Sequence, residues 1–222
     1  MAIAYQPLWL TLRLAVVATG LLLLVGVPLA AWLAASTSRF KAVFEAVVSL
    51  PLVLPPSVLG FYLLLAFSPT GRFGGLLSSL FDIRLVFSFG GLVLGSVIYS
   101  LPFMVHPVQA GLQSVPASLK EASYTLGKSR LRTFFSVLLP NIKPALLTGT
   151  VLSFAHTIGE FGVVLMIGGN IPGKTRVASI AVYDEVEASN YPAAHVYALL
   201  LLLVSFGILL LVYTLNRRLF KS

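Results

Sequence analysis

Cysteine is absent from the 222 residues, which excludes a disulfide framework, a thiolate metal site and a thiol nucleophile and leaves the redox compartment unread. Charge is scarce as well: 10% of the residues are Asp, Glu, Lys or Arg, and only 7 of these are acidic. An ordinary soluble domain carries about 25%, so a soluble enzyme is excluded. Apolar length takes the place of charge. Hydrophobic residues make up 58% of the chain, mean hydropathy is +0.96, and the apolar residues come in long blocks with the charges between them. At about 20 residues per crossing, such a chain holds five or six membrane helices and short loops, with no room for a separate catalytic domain. The 18 Gly and 13 Pro then belong inside or beside a bilayer, where both are better tolerated than in soluble helices. The net charge of +8 is not read as a nucleic-acid surface, because the basic residues flank apolar blocks and form no aromatic-laced patch.

Five spans are expected, at about 9–35, 46–67, 85–110, 145–167 and 193–215, within one all-α membrane domain over 8–216. The first holds a single charge, Arg13, and is too long and lacks the basic head of a cleaved signal peptide, so it is read as a retained span. The second carries Pro51, Pro55 and Pro56, which remove backbone donors and force a bend or broken turn. Pro102 and Pro107 distort the inner end of the third, and only Glu160 interrupts the fourth.

Lys and Arg in short loops set the orientation. Ten fall on one side: Arg39, Lys41, Lys120, Lys128, Arg130, Arg132, Lys143, Arg217, Arg218 and Lys221. The other side has five: Arg13, Arg72, Arg84, Lys174 and Arg176. The richer side is expected to be cytoplasmic, with the N-terminus outside, the C-terminus inside, and the loops near Gly71 and Asp184 facing outward.

The longest cytoplasmic segment, 113–144, is too polar for lipid and reads as helix, turn, helix. Ser114 is an N-cap candidate ahead of an early helical Pro116, Ala117 to Leu126 are good helix formers, and Gly127 is placed to end the helix in a left-handed conformation. Leu119, Ala122 and Leu126 form an apolar stripe at three- and four-residue spacing. Such a short amphipathic helix fits either a groove on a partner or the lipid surface.

The string Glu121-Ala122-Ser123, then Gly127, then Leu139-Pro140, resembles the EAA loop of the membrane subunits of bacterial ABC importers, with Ser123 standing where a second Ala is usual. The resemblance covers nearly the whole chain and implies the type I importer fold: about five transmembrane helices plus a short cytoplasmic coupling helix. It implies that this helix docks in a cleft of a cytoplasmic ATPase and transmits its closure. Glu121 and Gly127 inherit that role by position, and Pro116, Leu119, Ala122, Ser123 and Leu126 complete the coupling segment. The stretches Leu50 to Phe61 and Ile158-Gly159-Glu160-Phe161-Gly162 resemble the molybdate permease branch, of which sulfate and tungstate permeases are close relatives. The resemblance further implies a transport subunit rather than an enzyme, in the bacterial inner membrane. The chain itself would bind no cofactor, ATP and Mg being used by the separate ATPase, and a periplasmic or extracellular molybdate-binding protein would deliver the anion. Two copies around a twofold axis are expected, since five helices enclose a pathway poorly.

Residues 168–175, Gly-Gly-Asn-Ile-Pro-Gly-Lys-Thr, match the G-x-x-x-x-G-K-[ST] phosphate-loop pattern. Their context is a membrane helix and an outer face, not a parallel strand in a nucleotide-binding domain. An outer loop with turns is expected instead, leaving Lys174 and Arg176 available to a partner or an approaching anion.

Glu160 is an acid inside an apolar span, and such residues are functional candidates by default. His156 lies one turn earlier, while Gly159 and Gly162 would let neighbouring helices approach closely. A bare carboxylate beside an oxyanion is costly, which favours a gate-organising role over a ligand role. Ser57, Ser96, Ser100, Ser153 and Thr157 are candidate pore donors, and His106 is a polar group at a helix end. The competing class is a proton-coupled secondary transporter with Glu160 and His156 as relay.

Overall fold

The protein is described by a computed structural model over residues 5–219, and Lys221, counted above for orientation, lies outside the described residues. Every regular element among these residues is helical. Three helices are long and apolar enough to cross a membrane: α1 (Gln6–Ala35), α5 (Phe89–Ser114) and the Tyr191–Leu211 portion of α12 (Tyr191–Leu219). Two bent pairs add up to two further spans. One joins α2 (Lys41–Val53) to α3 (Pro56–Phe67) at 115°, and the other joins Arg130–Asn141 to α9 (Lys143–Gly159) at 78°.

The first bend is sharper than a kinked span. Leu54 and Pro55 each precede a proline, which disfavours the helical region for them; both are extended, at ψ 136° and 137°. Pro51, by contrast, stays inside α2. The second pair begins with α7 (Arg130–Thr133), passes through a π-helical turn over Phe134–Leu138 and α8 (Leu139–Asn141), and turns at Ile142 ahead of Pro144. The expected continuous span to residue 167 is instead cut at Glu160 and Phe161, after which a short α10 (Gly162–Gly168) follows. The connections from α3 to α5 and from α10 to α12 both contain helices: α4 (Arg72–Phe81) and α11 (Ala178–Glu187).

The core is built where α1, α5 and α9 pack together. Lipid chains are as apolar as Leu, so close helix packing replaces the hydrophobic drive here. Small residues supply it: Ala15, Ala18 and Ala30 of α1 are fully buried, and a Cβ added to Gly26 would lie 2.8 Å from Met104 Cγ. Leu22, Val27 and Leu33 meet Met104, Val105 and Val108 in one cluster. Leu10, Leu14, Leu92, Val164 and Ile180 form a second, toward the other end of α1. Thr11 pins α11 to α1 by accepting the Ala178 backbone N–H at 2.8 Å. α12 packs against α9 and α11 but leaves Leu202, Leu203, Phe206 and Leu210 exposed on its outer face.

Candidate functional site

The break after α9 is organised by Glu160 itself. Its backbone is extended, and its carboxylate turns forward to accept the N–H of Val163 at 2.8 Å and of Val164 at 3.3 Å. A helix start leaves its first N–H groups without intrahelical partners, and in a bilayer those groups have no water to turn to. Glu160 is therefore a cap built from inside a broken helix, at 5% exposure. Its carbonyl oxygen accepts from the Ser179 hydroxyl at 2.7 Å, tying the break to α11.

A cavity of about 530 Å³ opens beside this break, lined by Pro56 and Ser57 of α3, Tyr99 of α5, and His156, Gly159, Glu160 and Phe161. The close approach of α10 to α3 depends on two glycines. A Cβ on Gly162 would lie 2.6 Å from Pro56 Cβ, and one on Gly60 would lie 2.8 Å from Met166 Cβ. Gly159, expected to serve the same purpose, has nothing within 4 Å of an added Cβ and faces open space.

Behind the cavity wall, His156 Nδ1 lies 2.9 Å from the Ser100 hydroxyl, which lies 3.2 Å from the Thr157 hydroxyl. Thr157 donates to the Ser153 carbonyl at 2.8 Å. The His156 ring stacks on Phe103 at 4.1 Å and leans on Tyr99 at 4.7 Å. The structure thus brings together five of the candidate path residues: Ser57, His156 and Glu160 at the cavity, Ser100 and Thr157 behind His156. Ser96 and Ser153 are fully buried with unpartnered hydroxyls and do not line this cavity. Tyr99 and Phe103, absent from the sequence reading, supply the aromatic cradle; their four-residue spacing on a span was the available signal.

The 113–144 segment folds as α6 (Ala117–Thr125) on a stalk. Ser114 does not cap it. That residue ends α5 and donates to Gly111, because Val115 and Pro116 already form the extended junction. At the other end, Gly127 sits at φ +74°, the Lys128 N–H reaches the Ser123 carbonyl at 3.1 Å, and the Gly127 N–H reaches the Tyr124 carbonyl at 2.9 Å. That pairing is the Schellman termination, which needs a left-handed residue and so favours glycine. Leu119 and Leu126 are 40% and 78% exposed, and Glu121 and Ala122 are exposed beside them. Ser123 points the other way, buried, its hydroxyl 2.9 Å from that of Thr133 on α7. It fastens the helix to its stalk and is not available to a partner.

Near the same end of the protein, His106 Nε2 lies 3.1 Å from the Ser49 hydroxyl, and Gln109 donates to Glu45 at 2.6 Å, linking α5 to α2. At the opposite end, the phosphate-loop-like stretch follows α10 and no strand, and its Thr175 is buried, accepting the Ile171 N–H. Arg176 is not free for a partner: it pairs with Asp184 at 3.0 Å and donates to Asn170 at 2.7 Å. On the same α11, the hydrogen bond from the Tyr183 hydroxyl to Glu187 raises that phenol above its ordinary pKa. Among the described residues, no group of three or more His, Asp or Glu could hold a metal ion.

Residues 26–221 match the family described as "Binding-protein-dependent transport system inner membrane component". The chain is 50% identical over 208 residues to the molybdenum transport system permease protein ModB of Azotobacter vinelandii, covering 94% of this chain and 92% of that one. It is 37% identical over 178 residues to the sulfate transport system permease protein CysT of Salmonella typhimurium, covering 80% of this chain and 64% of that one. Its fold matches a chain of the inward-facing MetNI methionine ABC transporter with a TM-score of 0.76, at 16% identity over 97% of this chain and 95% of that one.

Proposed function

This chain belongs to the binding-protein-dependent transport system inner membrane component family, and on that premise we propose that two copies of it form the membrane path by which molybdate enters the cell. A member of this family is the permease subunit of an ATP-driven importer: a multi-pass membrane protein, not an enzyme, that works with an ATPase and a binding protein. The reading of molybdate as cargo rests on the identity of 50% over nearly the full length of a molybdenum permease, against 37% for a sulfate permease. Sulfate and tungstate are the alternatives. In this reading ATP and Mg are handled entirely by the ATPase, the N-terminus lies outside, and the C-terminus lies in the cytoplasm.

The observation that carries the coupling mechanism is the arrangement of α6. An exposed face of Glu121, Leu119, Ala122 and Leu126 stands on one side, and the buried Ser123–Thr133 bond fastens the other. A helix so held moves with its stalk. ATPase closure displaces α6 and α7; the π-helical turn and the bend at Ile142 pass that displacement to α9, which carries His156 and ends at Glu160. Single π turns recur at functional sites in helices. At the far end, the Glu160 cap keeps the broken helix satisfied while α3 and α10 shift on their glycine contact, so its carboxylate organises the path without gripping the anion. A proton relay is disfavoured because both carboxylate oxygens are committed to backbone N–H groups.

The test is reconstitution of the permease with its ATPase and binding protein in vesicles. Uptake of radiolabelled molybdate should be ATP-dependent and exceed sulfate uptake at equal concentration. Equal or greater sulfate uptake overturns the cargo, and uptake driven by a pH gradient without ATP overturns the class.

A further inference from the structure

At the end of the protein opposite α6, a second cavity of about 580 Å³ is lined by Arg84, Lys174, Ser68, Ser88 and Phe87, with no carboxylate in its wall. Ser88 caps the start of α5, whereas α6 follows its end, so about 39 Å of helix separates the cavity from the coupling helix. Neither Arg84 nor Lys174 makes an ion pair among the described residues, while the neighbouring Arg176 is fully engaged by Asp184 and Asn170.

The loop that carries Lys174 is held rigidly. The Ile171 carbonyl accepts the N–H groups of Lys174, Thr175 and Arg176, at 3.1, 2.9 and 3.1 Å. Gly169 and Gly173 both have positive φ; a Cβ on the first would meet the Phe87 ring at 3.1 Å, and one on the second would meet Gln6 at 2.8 Å. Phe87 itself sits at φ +57°, a costly conformation for an aromatic residue, fixed by its N–H bond to the Ile167 carbonyl at 2.9 Å. Strain of this kind persists only where the surroundings hold it, and it clusters at working sites.

The two cavities share a helix. Ser57, near the start of α3, lines the Glu160 cavity, and Leu65, near its end, lines the outer one, about 12 Å further along the axis. A concave pocket with two unpaired cations and no acid focuses positive potential on a small anion. Resting on the oxyanion reading above, we infer that this cavity is the outer mouth of the path, where Arg84 and Lys174 receive a tetrahedral dianion released by the binding protein before it passes along α3 to the Glu160 cavity.

The test uses the complete reconstituted complex with Arg84→Gln, Lys174→Gln and the double substitution, with molybdate as probe. Arg84 and Lys174 are exposed, so assembly is expected to survive, and retention of the ATPase during purification checks it. Uptake by the double variant should fall about tenfold at low ionic strength, and the gap to the parent should close as salt screens the cations. Stimulation of ATP hydrolysis by loaded binding protein should stay at the parent level. Uptake equal to the parent at all salt concentrations overturns the inference. Loss of stimulated hydrolysis in parallel with uptake also overturns it, since the cations would then dock the binding protein. The same series with sulfate separates the two readings: a parent that prefers sulfate defeats the cargo, while a salt-dependent defect in the variants sustains the anion mouth.

Discussion

The hydroxyls of Ser123 and Thr133 meet at 2.9 Å in a contact where the two residues are 4% and 0% exposed. It is the one side-chain hydrogen bond between α6 and α7 among the described residues, and it joins the helix that would meet the ATPase to the stalk that leads to the path. Ser123→Val removes one of the two hydroxyls and leaves that of Thr133 without this partner in a buried site, at a cost of about 1–3 kcal/mol. The expected result is a permease that still inserts but retains the ATPase less well. Ser123→Ala, which loses the same hydroxyl without adding a branched side chain, should fall between the parent and the valine variant. Full retention by both variants would mean that α6 is held by other contacts.

Glu160→Gln keeps the shape of the cap but presents an amide nitrogen to one of the two N–H groups that the carboxylate now accepts. Loss of a cap costs about 0.5–2 kcal/mol. The complex should stay assembled, and uptake should fall by more than in Ser57→Ala, a residue that lines the cavity without capping α10. Unchanged uptake in Glu160→Gln would leave that residue a packing role only.

The two glycines that flank Glu160 should respond in opposite ways. Gly162→Ala places a methyl 2.6 Å from Pro56 Cβ and must push α10 off α3, whereas Gly159→Ala meets nothing within 4 Å. Overpacking of this kind costs about 1–3 kcal/mol. Thermal unfolding of the detergent-solubilised complex should shift downward for Gly162→Ala and remain near the parent for Gly159→Ala. Equal midpoints would contradict the close α3–α10 contact.

Much of this was legible in the chain. Apolar length gave the long helices, Gly127 announced its left-handed termination, and path candidates on three separate segments, Ser96 and Ser153 excepted, came together at one cavity and its rear wall. The rest was hidden for physical reasons. Glu160 in an apolar run signals a buried acid, and nothing local says that its carboxylate will replace the hydrogen bonds of a helix it interrupts. Gly159 and Gly162 are equivalent as letters; which one touches a neighbour depends on the break between them. Ser114 has cap chemistry, but α5 extends to include it. Ser123 fell within the coupling segment by resemblance, and helical spacing alone does not say that its face meets α7.

Orientation can be read directly. Reporter fusions at Arg72 and Asp184 should be external, and a fusion at Arg130 cytoplasmic. An external signal at Arg130 would place α6 beyond the reach of ATP and of any ATPase.

The coupling role of α6 is tested most directly by assaying Gly127→Val and Glu121→Lys for ATPase retention, stimulated hydrolysis and uptake in the same purified complexes. Gly127 has φ +74° with open space around it, so the valine is opposed by backbone strain alone, about 1–3 kcal/mol. Glu121→Lys reverses the charge on the exposed face without touching the stalk. Both variants should insert normally, lose much of the ATPase on purification, and show neither stimulated hydrolysis nor uptake. Parent-level retention, stimulation and uptake in both would contradict the account.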